Sequence, residues 1–383
     1  MSAGKSAGAR ILHLHSTFAA GGKERRAVRL MNAFGPAISH SIVSGIPGET
    51  GAASELSAAL KVDWPAGFPP LTGLPTPRRL QRLAQAMRGY DLVLTYNWGA
   101  MDAVLSHTLF ADVFSLPPLV HHEDGFNADE QAGLKARRNW YRRIALGRAR
   151  ALVVPSKTLE QIALSVWAQP AGRVKYVPNG IDTAAFAKAP RADALPGIIK
   201  HPGELWVGTL AGMRPVKNLT ALVRAFAPLP PQWQLVVVGE GPEKDAIRAE
   251  AERLGIEDRV HLPGFARDPA RYIGLFDIFA LSSRSEQFPI SLVEAMAAGK
   301  AIAAPAVGDI PVMVAEENRA LISKAGDEKA LSGALSTLAA DRDLRARLGR
   351  ANRARARACY DEKPMIEAYR RLYASAMGRE TLT

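Results

Sequence analysis

The residues best suited to do chemistry lie in SRSEQFPISLVEAMAAGK, positions 283–300, where Glu286 and Glu294 flank an apolar run that contains a proline. An ionised carboxylate accepts hydrogen bonds on both oxygens, so it suits the hydroxyls of a sugar or the diol of a ribose. The start of the helix between them would add unpaired N–H groups and the positive end of a dipole, which attract phosphate. Upstream, Arg214 and Lys217 stand three apart in GTLAGMRPVKNLTALVRAF, on a loop that leads into a helix. Two cations beside free amides suit a diphosphate, and the arginine can grip it bidentately. Simpler structural roles exist for the same residues. Ser291 and Glu294 have the spacing of a capping box, Ser at N-cap and Glu at N3. Arg214 and Lys217 read equally as a solvated face. The cap does not account for Glu286, which precedes the helix.

Positioning these groups requires a scaffold, and the chain spells one out twice. ILHLHST, HSIVSGI, DLVLTYN, PPLVHHE and ALVVPS are short β-branched runs separated by amphipathic stretches. LWVGTLAGM, WQLVVVGEG, RVHLPGF, FDIFALSS and AIAAP repeat the pattern after a polar, proline-containing stretch at 187–204. Such alternation predicts parallel sheets covered on both faces by helices. The expected fold is α/β, with two Rossmann-like doubly wound domains facing across a cleft. Ligands bind such sheets at the carboxyl ends of the strands. The first domain is expected over 1–190 and the second over 191–363, with a C-terminal helix at 364–383 crossing back onto the first.

Length and composition restrict the function classes. The 383 residues allow two cores, and a single cysteine, Cys359, excludes an internal disulfide and fits a reducing compartment. The polar start MSAGKSAGAR lacks a signal-peptide pattern, and no apolar run approaches the roughly 18 residues of a membrane helix. A cytoplasmic location is the expectation. The formal charge is +12, and residues 1–190 hold 22 Lys/Arg against 13 Asp/Glu while the remainder holds 27 against 24. The basic excess therefore lies in the first half.

Within that half, KARRNWYRRIALGRAR at 135–150 carries seven cations and no acid, with Trp140 and Ile144 on one helical face. This pattern suits an anionic membrane surface with an aromatic anchor, or a solvated helix with core-facing aromatics. No stacking platform or recognition helix accompanies the charge, so nucleic acid is not an expected partner. In HHEDGFNADE, His121, His122, Glu123 and Asp124 follow a strand. Neighbouring strand residues point to opposite faces, which argues against a four-ligand metal site.

The segment SEQFPISLVEAMAAGKAIAAP resembles the E-x7-E signature of the retaining glycosyltransferases of family 4, which have the GT-B fold. Further matches follow in the family's order: GTLAGMRPVKNLTALVRAF, the Gly239-x-Gly241-Pro242 loop of VVVGEGPEKDAI, RVHLPGFARD, YVPNGIDTAAF and AAGGKE. The resemblance covers almost the whole chain and is strongest at 205–310. It implies transfer of a hexosyl unit from a nucleotide-diphosphate sugar to a hydroxyl, with retention. No metal or other cofactor is expected, because cations of the protein would take the metal's place. It implies that Glu286 contacts the donor sugar and Glu294 the ribose, with Phe288, Ile290 and Ser291 placing backbone near sugar and phosphate. Arg214 and Lys217 would stabilise the leaving diphosphate, and Gly241, Leu262 and Phe265 would lie around the donor and its base. Gly21 and Gly22 would bring first-domain backbone to the phosphates. His122 would face the donor and acceptor, with Glu123 and Asp124 as rivals for that place. Family members often carry Glu-Gly-Phe-Gly where this chain has Glu286-Gln287-Phe288-Pro289, so proline removes one backbone N–H there. The acceptor class includes lipids and lipid-linked saccharides, as in envelope or exopolysaccharide synthesis. Two other functions use the same donor: a GT-B sugar-nucleotide epimerase, which needs no acceptor, and a non-catalytic sugar-nucleotide-binding subunit.

Overall fold

A computed structural model describes residues 8–126, 130 and 133–382. The polar start at 1–7 and part of the HHEDGFNADE stretch, residues 127–129, lie outside the described residues. The chain divides into two compact units, residues 1–178 with 364–383, and residues 179–363.

The first unit is built on β1 (Arg10–His15), β2 (Ser39–Ser44), β3 (Lys61–Asp63), β4 (Leu92–Tyr96), β5 (Leu119–His122), β6 (Ala151–Val154) and β7 (Val174–Tyr176). Their order is β3-β2-β1-β4-β5-β6-β7, and every pairing is parallel. Helices α1 (Gly22–Phe34), α2 (Pro77–Ala86), α3 (Met101–Phe110), α4 (Ala136–Ala145) and α5 (Lys157–Ser165) connect them. Local chemistry sets several starts. Thr76 caps α2 by accepting from Arg79 N, with Pro77 at the first helical position, and Ser156 caps α5 by accepting from Leu159 N.

The second unit holds β8 (Leu205–Leu210), β9 (Trp233–Val238), β10 (Val260–Gly264), β11 (Ile278–Ala280), β12 (Ala301–Pro305) and β13 (Ile322–Ser323). They form a sheet in the order β10-β9-β8-β11-β12-β13. Its helices are α6 (Leu219–Phe226), α7 (Lys244–Arg253), α8 (Ile290–Ala297), α9 (Ile310–Met313), α10 (Glu328–Ala340) and α11 (Arg342–Cys359). Pro263 is tolerated in β10 because that strand is an edge, and the register shifts there. Buried Trp206, Phe276 and Phe279 fill one face of the sheet, and Trp233, Phe226 and Leu335 the other. At Gly208 a side chain would overlap the Phe276 ring, so that strand position needs glycine.

The boundary falls earlier than position 190. Ile181 bridges to Asp361, Ile181 N donates to Tyr360 O, and Phe186 and Leu195 enter the second core. The polar stretch at 187–204 is thus anchored by an apolar residue rather than a bare tether. The last helix, α12 (Glu362–Ala376), packs Met365, Tyr369 and Tyr373 into the core of the first unit against Leu94, Tyr96 and Val120.

Candidate active site

Both sheets reverse strand order next to their first strand, between β1 and β4 and between β8 and β11. In such folds the crevice at the carboxyl ends of the strands is the default ligand site. In the second unit the two loops that leave these strand ends carry Arg214 with Lys217 and Glu286 respectively.

The loop after β8 is held from below. Met213 is fully buried, its N–H donates to Glu240 O at 2.9 Å, and its carbonyl accepts from Glu243 N at 3.0 Å. Gly239 and Gly241, both at positive φ, permit this approach: a Cβ at Gly241 would stand 2.5 Å from the Met213 oxygen. The Gly-x-Gly-Pro loop therefore serves first as a seat for the basic loop. Arg214 stands exposed, and its guanidinium has no hydrogen bond or ion pair with a described residue.

Lys217 ends a short turn at Pro215–Lys217 and reaches across to the other loop. Its Nζ lies 2.5 Å from Glu286 Oε1, which also accepts from Ser283 Oγ at 2.7 Å. Ser282 Oγ donates to Lys217 O at 2.9 Å, and Arg284 N donates to Val216 O at 2.8 Å. The two loops are thereby laced into one surface. The cation and the first acid form an ion pair rather than two independent ligand groups. Glu286 Oε1 is saturated by this pair, which leaves Oε2 for an incoming hydroxyl.

A third loop supports the acid. Gly308 adopts φ of 53°, and a Cβ there would overlap the Glu286 carbonyl oxygen. Asp309 N donates to Gln287 O at 3.3 Å. The Gly-Asp turn after β12 thus fixes the backbone of 286–287, and glycine is required for that approach.

Helix α8 begins differently from the capping-box expectation. Its N-cap is Pro289, with φ −69° and ψ 110°, and no side chain caps it. Proline's fixed φ starts the helix at Ile290. Ser291 is consequently the second helical residue, and Glu294 is the fifth, one turn beyond Ile290 on the same face. Glu294 is half-buried. Phe288 points inward and packs edge-on against Tyr360 at 5.5 Å, so only its backbone faces outward from the core. Leu262 packs its side chain on the second unit's core, whereas Phe265, just past the end of β10, is 61 % exposed. An exposed aromatic beside the Gly239 loop, whose N–H bonds Gly264 O, is available for stacking.

In the first unit Gly21 is the N-cap of α1, and Gly22 is its first residue. The residues at the end of β5 behave differently from the expectation that His122 faces a ligand. His122 is 1 % exposed. Its Nδ1 faces Thr95 O at 3.2 Å and its Nε2 faces Tyr373 Oη at 2.8 Å. A carbonyl only accepts, so Nδ1 carries the proton and Nε2 accepts from the tyrosine. Burial, followed by the nearby charge of Arg26, holds the His122 pKa well below 6.5 and keeps the ring neutral. His122 is a strut between β5 and α12, and the side-chain alternation of the strand turns it into the core. His121 is buried on the other face, with Nδ1 2.8 Å from Thr95 Oγ1.

Glu123 is also fully buried, as a partner of Arg142 Nε at 3.3 Å. Arg142 in turn binds Glu130 at 3.1 Å and lies over Trp98, Phe126 and Trp167. Asp124 is clamped by Arg26, with Nη2 2.9 Å from Oδ2, but keeps 12 % side-chain exposure. Of the four candidates at the end of β5, Asp124 alone reaches the surface. Sequence reading missed Arg26, Arg142 and Glu130, because a buried ion pair between positions far apart leaves no local pattern. The alternation of His13 and His15 along β1 was a visible signal of one-sided histidines, and both are buried.

The basic segment is split by the same burial. Arg142 is inside and Arg138 is held by Glu130 over Trp98. Tyr141 turns inward and donates to Asp102 Oδ1 at 2.6 Å. Lys135, Arg137, Arg143, Arg148 and Arg150 remain exposed, as do Trp140 at 66 % and Ile144 at 40 %. No described helix is long and apolar enough to cross a membrane. Among the described residues no group of three or more His, Cys, Asp or Glu is arranged to hold a metal ion.

Two parallel α/β units with loops at their switch points fit the GT-B fold, and sequence comparison supplies the family. Residues 10–185 match the family model described as Glycosyltransferase Family 4, and residues 198–355 match that of Glycosyl transferases group 1. The chain belongs to the family 4-type glycosyltransferases of GT-B fold. Among curated relatives it is similar to a D-inositol 3-phosphate glycosyltransferase of Segniliparus rotundus, 33 % identical over 195 residues, covering 48 % of this chain and 43 % of the relative. It is also similar to an N-acetyl-alpha-D-glucosaminyl L-malate synthase of Bacillus anthracis, 28 % identical over 166 residues, covering 43 % and 44 %. The chain spans about half the length of the curated relatives it matches, or less. Among solved structures, Anabaena HepE in complex with UDP has a TM-score of 0.78 at 20 % identity, covering 96 % of this chain and all of that one. Sucrose-phosphate synthase from Thermosynechococcus elongatus has a TM-score of 0.74 at 24 % identity, with coverage of 96 % and 100 %. These likenesses establish the fold.

Proposed function

We propose that this chain is a retaining hexosyltransferase that moves a sugar from a nucleoside diphosphate to a hydroxyl acceptor without a metal ion. The observation that carries the reading is the Lys217–Glu286 pair at the ends of β8 and β11, with Arg214 uncommitted on the same loop. In this reading the bond from the anomeric carbon to the phosphate oxygen breaks while the acceptor oxygen bonds the same face of that carbon. The acceptor's proton passes to the departing phosphate oxygen, so no side-chain base is needed. Arg214 neutralises the charge that grows on the diphosphate, and Lys217 adds to it while holding Glu286. Glu286 Oε2 accepts from a sugar hydroxyl, Glu294 accepts from the ribose, and Phe265 stacks on the base. Protein cations supply the charge stabilisation that a divalent metal supplies in other transferases. His122 has no part in this scheme, since it is buried. The surplus of cations in the first half, together with the phosphate and malate in the relatives' names, favours an anionic acceptor.

Incubation with a panel of UDP- and GDP-sugars should release nucleoside diphosphate only when an anionic hydroxyl acceptor is present. Proton NMR of the product should show the donor's anomeric configuration, and EDTA should leave the rate unchanged. Sugar conversion without any acceptor would favour an epimerase instead, and donor binding without turnover would favour a binding subunit. Glu294→Ala should weaken nucleotide binding in the same assay.

A lipid-linked acceptor is the favoured source of that anion. The exposed pair Trp140 and Ile144, one turn apart on the helix that also exposes Arg137 and Arg143, suits the interface of an anionic bilayer. Trp140→Ser should reduce cosedimentation with phosphatidylglycerol-containing vesicles severalfold, and binding equal to that of the unmodified protein would discard this surface.

A further inference from the structure

The opposite end of the second sheet holds a feature that the transferase chemistry does not use. A cavity of about 440 Å³ opens among Leu205, Phe276, Asp277, Gly299, Lys300, Arg342, Arg345 and Ala346. These residues sit at the amino ends of β8, β11 and β12 and on the first turns of α11, the end of the sheet away from Arg214 and Glu286. The volume is in the usual range for small-molecule sites, roughly 300–1,000 Å³.

Its lining is mostly cationic, with Asp277 and the nearby Asp341 as the acids that act on Arg345. Lys300, Arg342 and Arg345 line it, and Lys200 and Arg353 stand within electrostatic reach of Lys300. Asp277 is the one acid in the lining, and its Oδ2 is already engaged by Lys200 Nζ at 2.6 Å and Trp206 N at 2.8 Å. The cations use few of their donors. Lys300 Nζ gives one bond, to Gly274 O at 2.7 Å. Arg345 Nη1 bonds Leu338 O and Ala339 O at the end of α10, and Arg353 Nη2 bonds Ala298 O. Arg353 Nε is buried with no partner, and Arg342 makes no side-chain bond to a described residue. An ammonium has three donors and a guanidinium five, so donors exceed acceptors several times over around this space. Burial pushes the Lys300 pKa down to about 8; Asp277 pulls it up, and Lys200 and Arg353 add smaller repulsions. Carbonyl capping explains where each head group rests. It does not explain why three of them line a single cavity with one acid between them, where excess like charge works against the compact state.

We propose that this cavity is a second anion site, for a small phosphorylated metabolite, separate from the donor site. An anion there would take the spare N–H donors of Lys300, Arg342 and Arg345 and offset their repulsion. The proposal is independent of the transferase reading, because it uses none of the residues assigned to it.

The test uses inorganic pyrophosphate and the full chain carrying Arg214→Ala and Lys217→Ala, which removes the diphosphate grip at the strand carboxyl ends. Equilibrium dialysis should still find one bound pyrophosphate per chain. Adding Arg342→Ser, an exposed change that disturbs no packing, should weaken that binding at least tenfold, and Lys300→Met should do the same. At pH 8 an amine-acylating reagent should modify Lys300, and pyrophosphate should protect it in proportion to occupancy. Absence of binding to the double variant, or binding indifferent to Arg342→Ser together with unprotected Lys300, would overturn the site.

Discussion

Arg214→Ala is expected to lower turnover by about 10²–10³-fold, the usual effect of deleting one charge-stabilising group from an active site, while the melting temperature stays within a degree or two. The fold should not notice the loss. Arg214 is exposed, and its side chain holds no described residue in place. Its loop is fixed instead by Met213 and the glycines at 239 and 241. The loss corresponds to about 2.7–4 kcal/mol of transition-state stabilisation. Arg214→Lys should recover only part of it, because a lysine keeps the charge but not the planar fork that matches a diphosphate. The effect should appear in kcat as well as kcat/KM, since charge grows on the diphosphate only as its bond to the sugar breaks. Turnover unchanged in Arg214→Ala would remove the leaving-group role. Lys217→Ala is a less clean experiment, because it also frees Glu286 from the cation it is paired with.

The second large effect is on stability. Acidification from pH 7 to pH 5 is expected to cost the first unit several kcal/mol, long before carboxylates titrate. Six of its histidines are buried, and four of them, His13, His15, His40 and His122, cluster about Tyr96. His13 Nε2 meets His40 Nδ1 at 3.0 Å, and Tyr96 stacks between the rings of His15, at 3.8 Å, and His122, at 4.6 Å. Burial is the first cause that lowers each pKa, to about 4 for His40 and well below 6.5 for the other three. Lys23 and Arg26 add repulsion at His15, and Arg26 at His122. The folded rings therefore stay neutral while the unfolded ones bind protons below pH 6.5. Stability is full above that pH and falls as pH drops toward the folded pKa values. Each histidine loses about 1.4 kcal/mol per pH unit in that window, or about 2 kcal/mol by pH 5. Four together set an upper limit of about 8 kcal/mol, comparable to a domain's whole stability. Urea denaturation at pH 7 and pH 5 measures this directly. An unchanged midpoint for the first unit would show that the rings are protonated or hydrated in the fold. Glu130 is the acid of this unit with a lowered pKa; its contribution is present above the ordinary carboxylate range and is lost only as pH falls below it, so the window is separable.

Much of the architecture was legible locally. The β-branched runs became strands at the expected places, and Thr76, Ser156, Asp327 and Asp341 begin helices as their residue types prescribe. The capping-box expectation at Ser291 failed because Pro289, two residues earlier, fixes its own backbone and starts the helix first. A cap competes with its neighbours, and the motif's spacing alone does not register that competition. The expectation for His122, the last residue of β5, failed for another reason. Its partner, Tyr373, lies 251 positions away on α12, and nothing near His122 announces that the last helix will cover it. The basic run at 135–150 likewise divides into buried and exposed cations according to Glu123 and Glu130, which only folding brings beneath it.

The sequence by itself determined two doubly wound α/β units and the residue types at the loops after β8 and β11, because periodicity, caps and turn glycines act within a few residues. Tertiary structure decided which charges meet. Lys217 joins Glu286 across 69 positions, Arg26 takes Asp124, and five cations gather at the far end of the second sheet. Pairing of charges depends on distance in space and on exclusion of water. Both arise only when strands that are remote in the chain lie side by side.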